Sequence, residues 1–260
     1  MKKISLCVVS ILLLACVGTY AEEVKSVDLF NGKNLSQWTP LHDNSKWQVV
    51  GEVDLSEQNN KLFDFKSGQG IMVNGKDGRT SNLLTKYAHG DCQLHIEFMV
   101  PKGSNSGVYL QSLYEIQVLD SYGKENVKYS DCGGIYQRWD EKNNKPLDQG
   151  EAPYVNASKA PGEWQAFDIT FRAPRFDEEG NMTENPRFVL VIHNGRIVHE
   201  DFELLGPTRA YNRKQKPAPK APLMLQGDHG PVAYRNIRLI PLHLDVDGKK
   251  PSAANLRKMR

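Results

Sequence analysis

The sequence predicts an all-β protein, a jelly-roll β-sandwich of two antiparallel sheets. Helical periodicity is almost absent from the 260 residues, whereas short apolar or alternating segments recur along the chain. Gly, Asn, Asp and Pro residues separate these segments, which is typical of many short strands joined by turns. The predicted strands are residues 47–50, 61–65, 92–100, 107–111, 114–119, 133–137, 165–171, 187–193, 196–200, 222–225 and 234–242.

Two local patterns support this assignment. At residues 194–195 an Asn-Gly dipeptide separates two runs rich in β-branched residues, and it predicts a hairpin because both turn positions accept positive φ. The segment 92–100 alternates regularly, with Leu94, Ile96 and Phe98 on one face. Both patterns favour antiparallel strands with one face on a core.

Three long polar segments interrupt the strands, at residues 139–162, 175–186 and 205–222. The last includes Lys-Gln-Lys-Pro-Ala-Pro-Lys at residues 214–220, a stiff polar run that does not belong to a core. Long loops on a rigid sandwich often carry function, but solvated insertions are the commoner case. The sequence leaves both interpretations open.

Residues 1–21 have the pattern of a secretory signal. Lys2 and Lys3 precede a short apolar run with a small-residue end, and that run is shorter than the roughly 20 residues a spanning helix needs. Cleavage after Ala21 is expected, and the alternative is a lipoprotein signal that leaves a lipid on Cys16. The mature protein is expected to be exported, periplasmic or secreted, without a membrane-spanning segment.

The mature chain is long enough for one large domain, predicted at residues 27–242 and followed by a basic tail at residues 243–260. Without the two leader lysines it carries 31 basic and 31 acidic residues. A net charge near zero argues against a nucleic-acid partner.

Cys92 and Cys132 are the two cysteines outside the leader. In an oxidising compartment they could form a disulfide, and two buried free thiols are the alternative. No Cys/His spacing suggests a structural zinc site, and neither a metal nor another cofactor is expected.

The predicted strand 114–119 carries the first candidate site. Side chains alternate along a strand, so Glu115 and Gln117 lie together on the face turned away from the core, and Asp120 follows where the strand ends. A solvated face with positioned polar groups can hold a polar substrate such as a sugar. Polar residues also belong on the outer face of any antiparallel strand. The segment 105–110 is one short turn away, so the two strands are expected to pair and share this face.

A second polar cluster follows the predicted strand 222–225. Gln226, Asp228 and His229 lie in a glycine-bracketed turn. A histidine proton moves near neutral pH, and a neighbouring aspartate can set the tautomer. The same residues could also form an ordinary turn in which the aspartate caps backbone amides. Trp139, at the start of a polar loop, is a candidate for stacking on a sugar ring, although tryptophan is more often part of a core.

Six motifs occur in an order that gives the chain a family resemblance. They are Leu-Phe-Asn-Gly-Lys-Asn-Leu-Ser-Gln-Trp at 29–38, Asn-Ser-Gly-Val-Tyr-Leu at 105–110, Tyr-Glu-Ile-Gln-Val-Leu-Asp at 114–120, Pro-Gly-Glu-Trp at 161–164, Asn-Gly at 194–195, and Leu-Gln-Gly-Asp-His-Gly at 225–230 followed by Arg-Asn-Ile at 235–237. With these motifs, residues 27–242 resemble the 3-keto-disaccharide hydrolase domain family.

The resemblance implies a concanavalin-like jelly roll in an exported bacterial protein linked to glycoside breakdown. The implied reaction is hydrolysis, or elimination followed by hydration, of a glycoside oxidised to a ketone at C3. The ketone acidifies the C2 proton, so that a general base can remove it and the C1 substituent can leave. A partner oxidoreductase would supply the 3-keto sugar.

The motif positions suggest roles for particular residues. Glu115 is expected to be the base, and His229 the proton donor or the group that stabilises the enolate. Substrate orientation falls to Gln117, Gln226 and Arg235, which Asp120 would support. The alternative function is a non-catalytic, lectin-like carbohydrate-binding module on the same fold. An enzyme should gather Glu115, Gln117, His229 and Arg235 around one pocket with a perturbed carboxyl pKa, whereas a lectin should show a shallow, aromatic-lined surface.

Overall fold

The alternating segments form seventeen strands within residues 25–244, the part of the chain that the computed structural model describes. No helix occurs in this part, and so none that could cross a membrane. The predicted leader, with Cys16, and most of the basic tail lie outside the described residues. The strands are β1 (Val27–Asp28), β2 (Trp38–Pro40), β3 (Gln48–Leu55), β4 (Phe63–Val73), β5 (Leu83–His89), β6 (Cys92–Met99), β7 (Asn105–Leu110), β8 (Tyr114–Leu119), β9 (Trp139–Asp140), β10 (Lys145–Pro146), β11 (Gln165–Arg172), β12 (Arg175–Phe176), β13 (Met182–Glu184), β14 (Arg187–His193), β15 (Arg196–Glu203), β16 (Ala221–Leu225) and β17 (Ala233–Pro241).

Two antiparallel sheets pack face to face. The large sheet has the order β15-β14-β11-β6-β17-β4-β3, with β1 against β17, and the small sheet has the order β2-β5-β16-β7-β8. Their facing side chains form one buried core, in which Phe98 and Phe167 of the large sheet join Val108, Ile116 and Leu225 of the small sheet. The predicted all-β sandwich is confirmed, because each sheet buries the apolar face of its alternating strands.

Local patterns predicted some elements to the residue. β8 and β14 have the predicted bounds, and the predicted hairpin joins β14 to β15. Asn194 and Gly195 at its turn have φ values of 49° and 79°, the left-handed conformation that this dipeptide accepts.

Other elements differ from the prediction. The sequence does not predict β5, because its polar and apolar residues do not alternate regularly. The predicted strand at residues 133–137 forms only isolated bridges, in which Ile135 pairs with Ile116 and with Glu151. These bridges extend the small sheet beyond β8, so that the outer edge of β8 is covered.

Of the two alternatives for Cys92 and Cys132, the structure has the buried free thiols and not the possible disulfide. Cys92 begins β6 of the large sheet, where its Sγ lies 3.5 Å from Nδ1 of His89. The backbone N–H of Cys132 instead donates to Ser121 Oγ at 3.0 Å, just beyond β8. Burial raises the pKa of the Cys132 thiol to about 12 and also raises the pKa of Cys92, so both thiols are inert.

Candidate active site

Strand register brings the first polar cluster together. β7 and β8 pair with Tyr109 opposite Glu115 and Gly107 opposite Gln117, so these four residues share one face of the small sheet. The predicted pairing and the predicted alternation of β8 are therefore confirmed. Gln226 follows β16 on the other side of β7, where its backbone N–H donates to Gly107 O at 3.0 Å.

This face forms the floor of a pocket of about 330 Å³. Four residues predicted for the site meet there, Glu115, Gln117, Gln226 and His229, and the full lining is Asn105, Tyr109, Glu115, Gln117, Tyr136, Arg209, Ala210, Gln226 and His229. The expectation of a solvated face is wrong, because Glu115 and Gln117 are each only 2 % exposed. Loop residues cover this outer face of the small sheet, and the sequence did not predict them for the site.

Gly107 makes room for the carboxyl group of Glu115. A Cβ atom at position 107 would lie 2.2 Å from Glu115 Oε1, so a side chain there would push the carboxyl group away. A glycine within a strand often marks such a close approach. Sequence reasoning missed this residue, although an isolated glycine in a predicted strand was the signal that could have found it.

The Glu115 carboxyl group has an unusual proton affinity. Burial raises its pKa to about 8, and the nearby Asp228 charge acts in the same direction, while hydrogen bonding with the Tyr109 hydroxyl opposes the rise. The carboxyl group is therefore largely protonated at neutral pH. Once ionised, it is a much stronger base than an ordinary solvent-exposed glutamate.

Two amide oxygens in the pocket have no partner. The side-chain N–H of Gln117 donates to Ser130 O at 3.2 Å, which holds this amide in place. Gln226 is 5 % exposed, and the Oε1 atoms of both glutamines are buried without a hydrogen bond among the described residues. An unsatisfied buried acceptor is costly, so both oxygens are suited to accept hydrogen bonds from ligand hydroxyls.

The turn that carries His229 is held by its neighbours. Asn74 donates from Nδ2 to Gly227 O at 3.0 Å and to Gly230 O at 2.8 Å. His229 Nδ1 lies 2.6 Å from Asp228 Oδ1, and this hydrogen bond lowers the pKa of Asp228. The aspartate accepts from Nδ1, so Nε2 is the ring nitrogen that remains for other chemistry. Asn74 was not predicted, since it lies far from this turn in the sequence.

Two residues predicted for the site lie elsewhere. Arg235 belongs to β17 of the large sheet, where its Nε donates to Glu97 Oε2 at 2.6 Å and its guanidinium lies 3.9 Å from the Trp164 ring centroid. Asp120 accepts from Gly103 N at 2.9 Å and from Tyr122 N at 3.4 Å, so it stabilises the turn after β8. Neither lines the pocket, because strand register and turn formation direct these side chains to other partners.

Trp139, predicted to stack on a sugar ring, lies beside the pocket rather than in its lining. The guanidinium of Arg209, which does line the pocket, lies 3.9 Å from the Trp139 ring centroid. Arg209 and Tyr136 were both missed, because only the folding of loops beside β8 brings them to the pocket. Arg209 is therefore a specific candidate for function within the loop 205–222, which the sequence left open as either functional or solvated.

A larger cavity of about 540 Å³ lies elsewhere, lined in part by Asp91 and Arg175. Those two side chains bind each other, with 2.7 Å between Arg175 Nη2 and Asp91 Oδ2, so they leave little for a ligand. Nowhere within residues 25–244 do three or more His, Cys, Asp or Glu side chains gather in a way that could hold a metal ion. The smaller pocket is the better candidate active site, because within residues 25–244 its carboxyl group has no ion pair and its two amide oxygens accept no hydrogen bond.

The sequence as a whole identifies the family. Residues 25–240 match the model of the 3-keto-alpha-glucoside-1,2-lyase-like domain. The chain belongs to this family. The resemblance inferred from the ordered motifs is confirmed, and the 3-keto-alpha-glucoside-1,2-lyase-like domain places the chain among proteins related to carbohydrate processing.

The chain is also similar to solved structures. A candidate glycosyl hydrolase from Parabacteroides distasonis ATCC 8503, solved at 2.13 Å, is 29% identical over 84% of each chain, with a TM-score of 0.61. A second one from this organism, solved at 1.70 Å, is 14% identical over 84% of this chain and 94% of its own, with a TM-score of 0.49. No curated protein matches the sequence significantly.

Proposed function

We propose that this protein cleaves 3-keto-glycosides, including 3-keto-disaccharides, with Glu115 as the base that removes the C2 proton. The observation that carries this proposal is a buried carboxyl group, with its pKa raised to about 8, in one pocket with His229 and two partnerless amide oxygens. A buried base with a raised pKa suits this reaction. The C–H group next to a ketone is a weak acid, and it transfers its proton more readily to a base whose pKa is closer to its own.

An elimination reaction requires only a few catalytic groups, and the pocket contains them. Glu115 takes the C2 proton, the C–H electron pair forms the C2=C3 bond, and the ketone oxygen becomes an enolate. The enolate then reforms the ketone, its electrons form a C1=C2 bond, and the C1–O bond breaks. The imidazolium form of His229, whose Nδ1–H donates to Asp228, gives its Nε2 proton to the departing oxygen, which leaves an enone and a free alcohol. Addition of water across C1=C2 would complete a net hydrolysis.

The number of carboxyl groups favours this route over conventional glycoside hydrolysis. A conventional glycosidase uses two carboxyl groups that flank the scissile bond. Among the described residues, Glu115 is the only acidic residue that lines the pocket, and the nearby Asp228 is bound to His229. An elimination needs one base and one proton donor, which the pocket provides.

The two glutamines would orient the sugar. Gln117 Oε1 and Gln226 Oε1 can accept hydrogen bonds from sugar hydroxyls, which would satisfy both buried oxygens. A substrate that carries these hydroxyls in another arrangement would leave an acceptor unpaired and would bind less well. We expect the substrate to come from an oxidoreductase that oxidises the glycoside at C3, and the protein to act after export.

The experiment compares oxidised and unoxidised substrates. The full chain is incubated with 3-keto-trehalose and with a 3-keto-glucoside, each beside its unoxidised parent, and release of the second sugar or alcohol is followed. Cleavage is expected only of the 3-keto compounds, and detection of the enone would identify elimination. Equal cleavage of the parents would contradict the proposal, and saturable binding without any turnover would favour the lectin-like alternative.

A further inference from the structure

We infer that Arg209, held against the ring of Trp139, binds the C3 ketone oxygen of the substrate and stabilises the enolate as it forms. This inference rests on the proposed function and assigns a catalytic role that the sequence motifs did not suggest. It also divides the work of the site, because stabilisation of the enolate passes from His229 to Arg209.

The backbone on both sides of Arg209 is fixed to the pocket. Thr208 Oγ1 accepts from the backbone N–H of Glu115 at 3.1 Å, so the loop is attached to the strand that carries the base. The Arg209 N–H donates to Gln137 O at 2.8 Å, and Arg209 O accepts a longer hydrogen bond of 3.4 Å from the Tyr109 hydroxyl. These hydrogen bonds therefore fix the backbone of Arg209 relative to Glu115.

The side chain of Arg209 is positioned but not neutralised. Its guanidinium lies 3.9 Å from the Trp139 ring centroid, a cation–π contact that restricts its motion and leaves its N–H donors for other partners. It has no ion pair within residues 25–244, in contrast to Arg213 of the same loop, which lies 2.8 Å from Glu141 Oε1. Arg209 thus lines the pocket without an ion pair to another residue of the described part of the chain.

The charges of the pocket favour an anion near Arg209. Burial raises the pKa of Glu115 to about 8, so this carboxyl group does not cancel the arginine charge at neutral pH. The negative charge of Asp228 is held by its hydrogen bond to His229. A fixed positive group with free donors is the arrangement that stabilises an oxyanion in an enclosed site. The enolate oxygen is the anion that the proposed reaction forms.

The assignment also resolves a conflict for His229. In the proposed elimination one group must stabilise charge at the C3 oxygen while another protonates the oxygen that leaves C1. A single imidazole would have to act at two different atoms. With Arg209 at the ketone, His229 Nε2 is free to protonate the leaving group.

The first step can be tested apart from cleavage. The probe is 3-keto-1,5-anhydroglucitol, which has a C2 proton beside a ketone but no exocyclic leaving group at C1. Exchange of this proton with deuterium from solvent is followed by NMR for the wild type and for Arg209→Gln, His229→Gln and Arg213→Gln. Arg209→Gln is expected to slow exchange by about 10²-fold, the loss that follows removal of an oxyanion donor. His229→Gln is expected to slow exchange less than it slows cleavage, and the matched control Arg213→Gln is expected to retain exchange.

Cleavage of a 3-keto-glucoside provides the second readout. Arg209→Gln should lower kcat by about 10²-fold with little change in KM, since the interaction strengthens as charge develops. Guanidinium ion added to Arg209→Ala should restore part of the rate, and Trp139→Leu should lower kcat without altering the secondary structure. Unchanged exchange in Arg209→Gln, or a higher KM with unchanged kcat, would overturn the inference.

The two proposals fail in different ways. If Glu115→Gln abolishes exchange and cleavage while Arg209→Gln retains both, the inference is wrong and the proposed function stands. If the wild type neither exchanges nor cleaves any 3-keto compound, the proposed function is wrong and the inference falls with it.

Discussion

Glu97 and Glu115 lie in strands of opposite sheets and both face away from the core, yet their surroundings differ. Glu97 is on the outer face of the large sheet, where Arg235 and Asn236 donate to its carboxylate at 2.6 Å and 2.7 Å. Partial burial raises the pKa of Glu97, but these hydrogen bonds outweigh it and hold the pKa below its usual value. Glu115 has no cationic partner in the described part of the chain, and burial raises its pKa to about 8.

The difference teaches where function can arise on this fold. Side-chain alternation along a strand determines which face of the sheet a carboxyl group lies on, and in both sheets it directs the glutamate away from the core. Loops decide whether that face is solvated, neutralised or enclosed. On the small sheet, Tyr136 and Arg209 complete a pocket over Glu115, whereas on the large sheet paired charges remain at the surface.

The largest expected effect separates the two glutamates directly. Glu115→Gln should lower kcat/KM for a 3-keto-glucoside by about 10³-fold, within the range for loss of a general base. Glu97→Gln should change it less than about twofold, because Glu97 binds Arg235 on the other sheet. Steady-state kinetics of both variants measure this, with folding checked by circular dichroism. Comparable losses in the two variants would remove the functional distinction between the faces.

Histidines provide a second comparison, between the core and the outer face. Burial lowers the pKa of His199 to about 4 and that of His89 to about 4, whereas the hydrogen bond to Asp168 raises the pKa of His95. A lowered native pKa contributes stability above the unfolded value of 6.5 that is lost as pH falls towards 4.

The consequence is a loss of stability in mild acid. His89 and His199 should each contribute about 3 kcal/mol to the decrease in unfolding free energy between pH 7 and pH 4, at 1.36 kcal/mol per pKa unit. His95 acts in the opposite direction, since its contribution is present in acid and lost as pH rises through its raised pKa. Urea unfolding of the wild type and His199→Gln across this range measures the effect. An equal pH dependence in both would refute the assignment to His199.

Gly107 sharpens the comparison within the pocket. Gly107→Ala should displace the Glu115 carboxyl group and lower kcat by about 10²-fold, the scale of a misplacement near 1 Å. Gly180→Ala is the matched control, because Gly180 also has no side chain to lose but has nothing within 4 Å of an added Cβ. The control should cost some stability through its positive φ of 84° and leave the rate unchanged. Full activity in Gly107→Ala would show that kcat does not depend on the exact position of the Glu115 carboxyl group.

Particular residues show how far the sequence could predict this structure. The period of two in residues 114–119 placed Glu115 and Gln117 on one face, because side-chain alternation is a local property of a strand. Arg235 was misplaced, since its nearness to the His229 motif in sequence does not keep it in the same sheet. Arg209 could not be found, because its position depends on a long loop that packs beside β8. The choice between a disulfide and two free thiols could not be made, because cysteine number and compartment do not report the distance between two thiols.

The most direct test of the central claim is the pH dependence of C2 proton exchange in 3-keto-1,5-anhydroglucitol, a step that does not use the His229 proton, measured for the wild type and Glu115→Gln. The active form of Glu115 is ionised, so the wild-type exchange rate should rise tenfold per pH unit below an apparent pKa of about 8 and level off above it. The residual rate of Glu115→Gln should lack this limb. A wild-type profile without a limb near pH 8, or the same limb in Glu115→Gln, would contradict the assignment of Glu115 as the base.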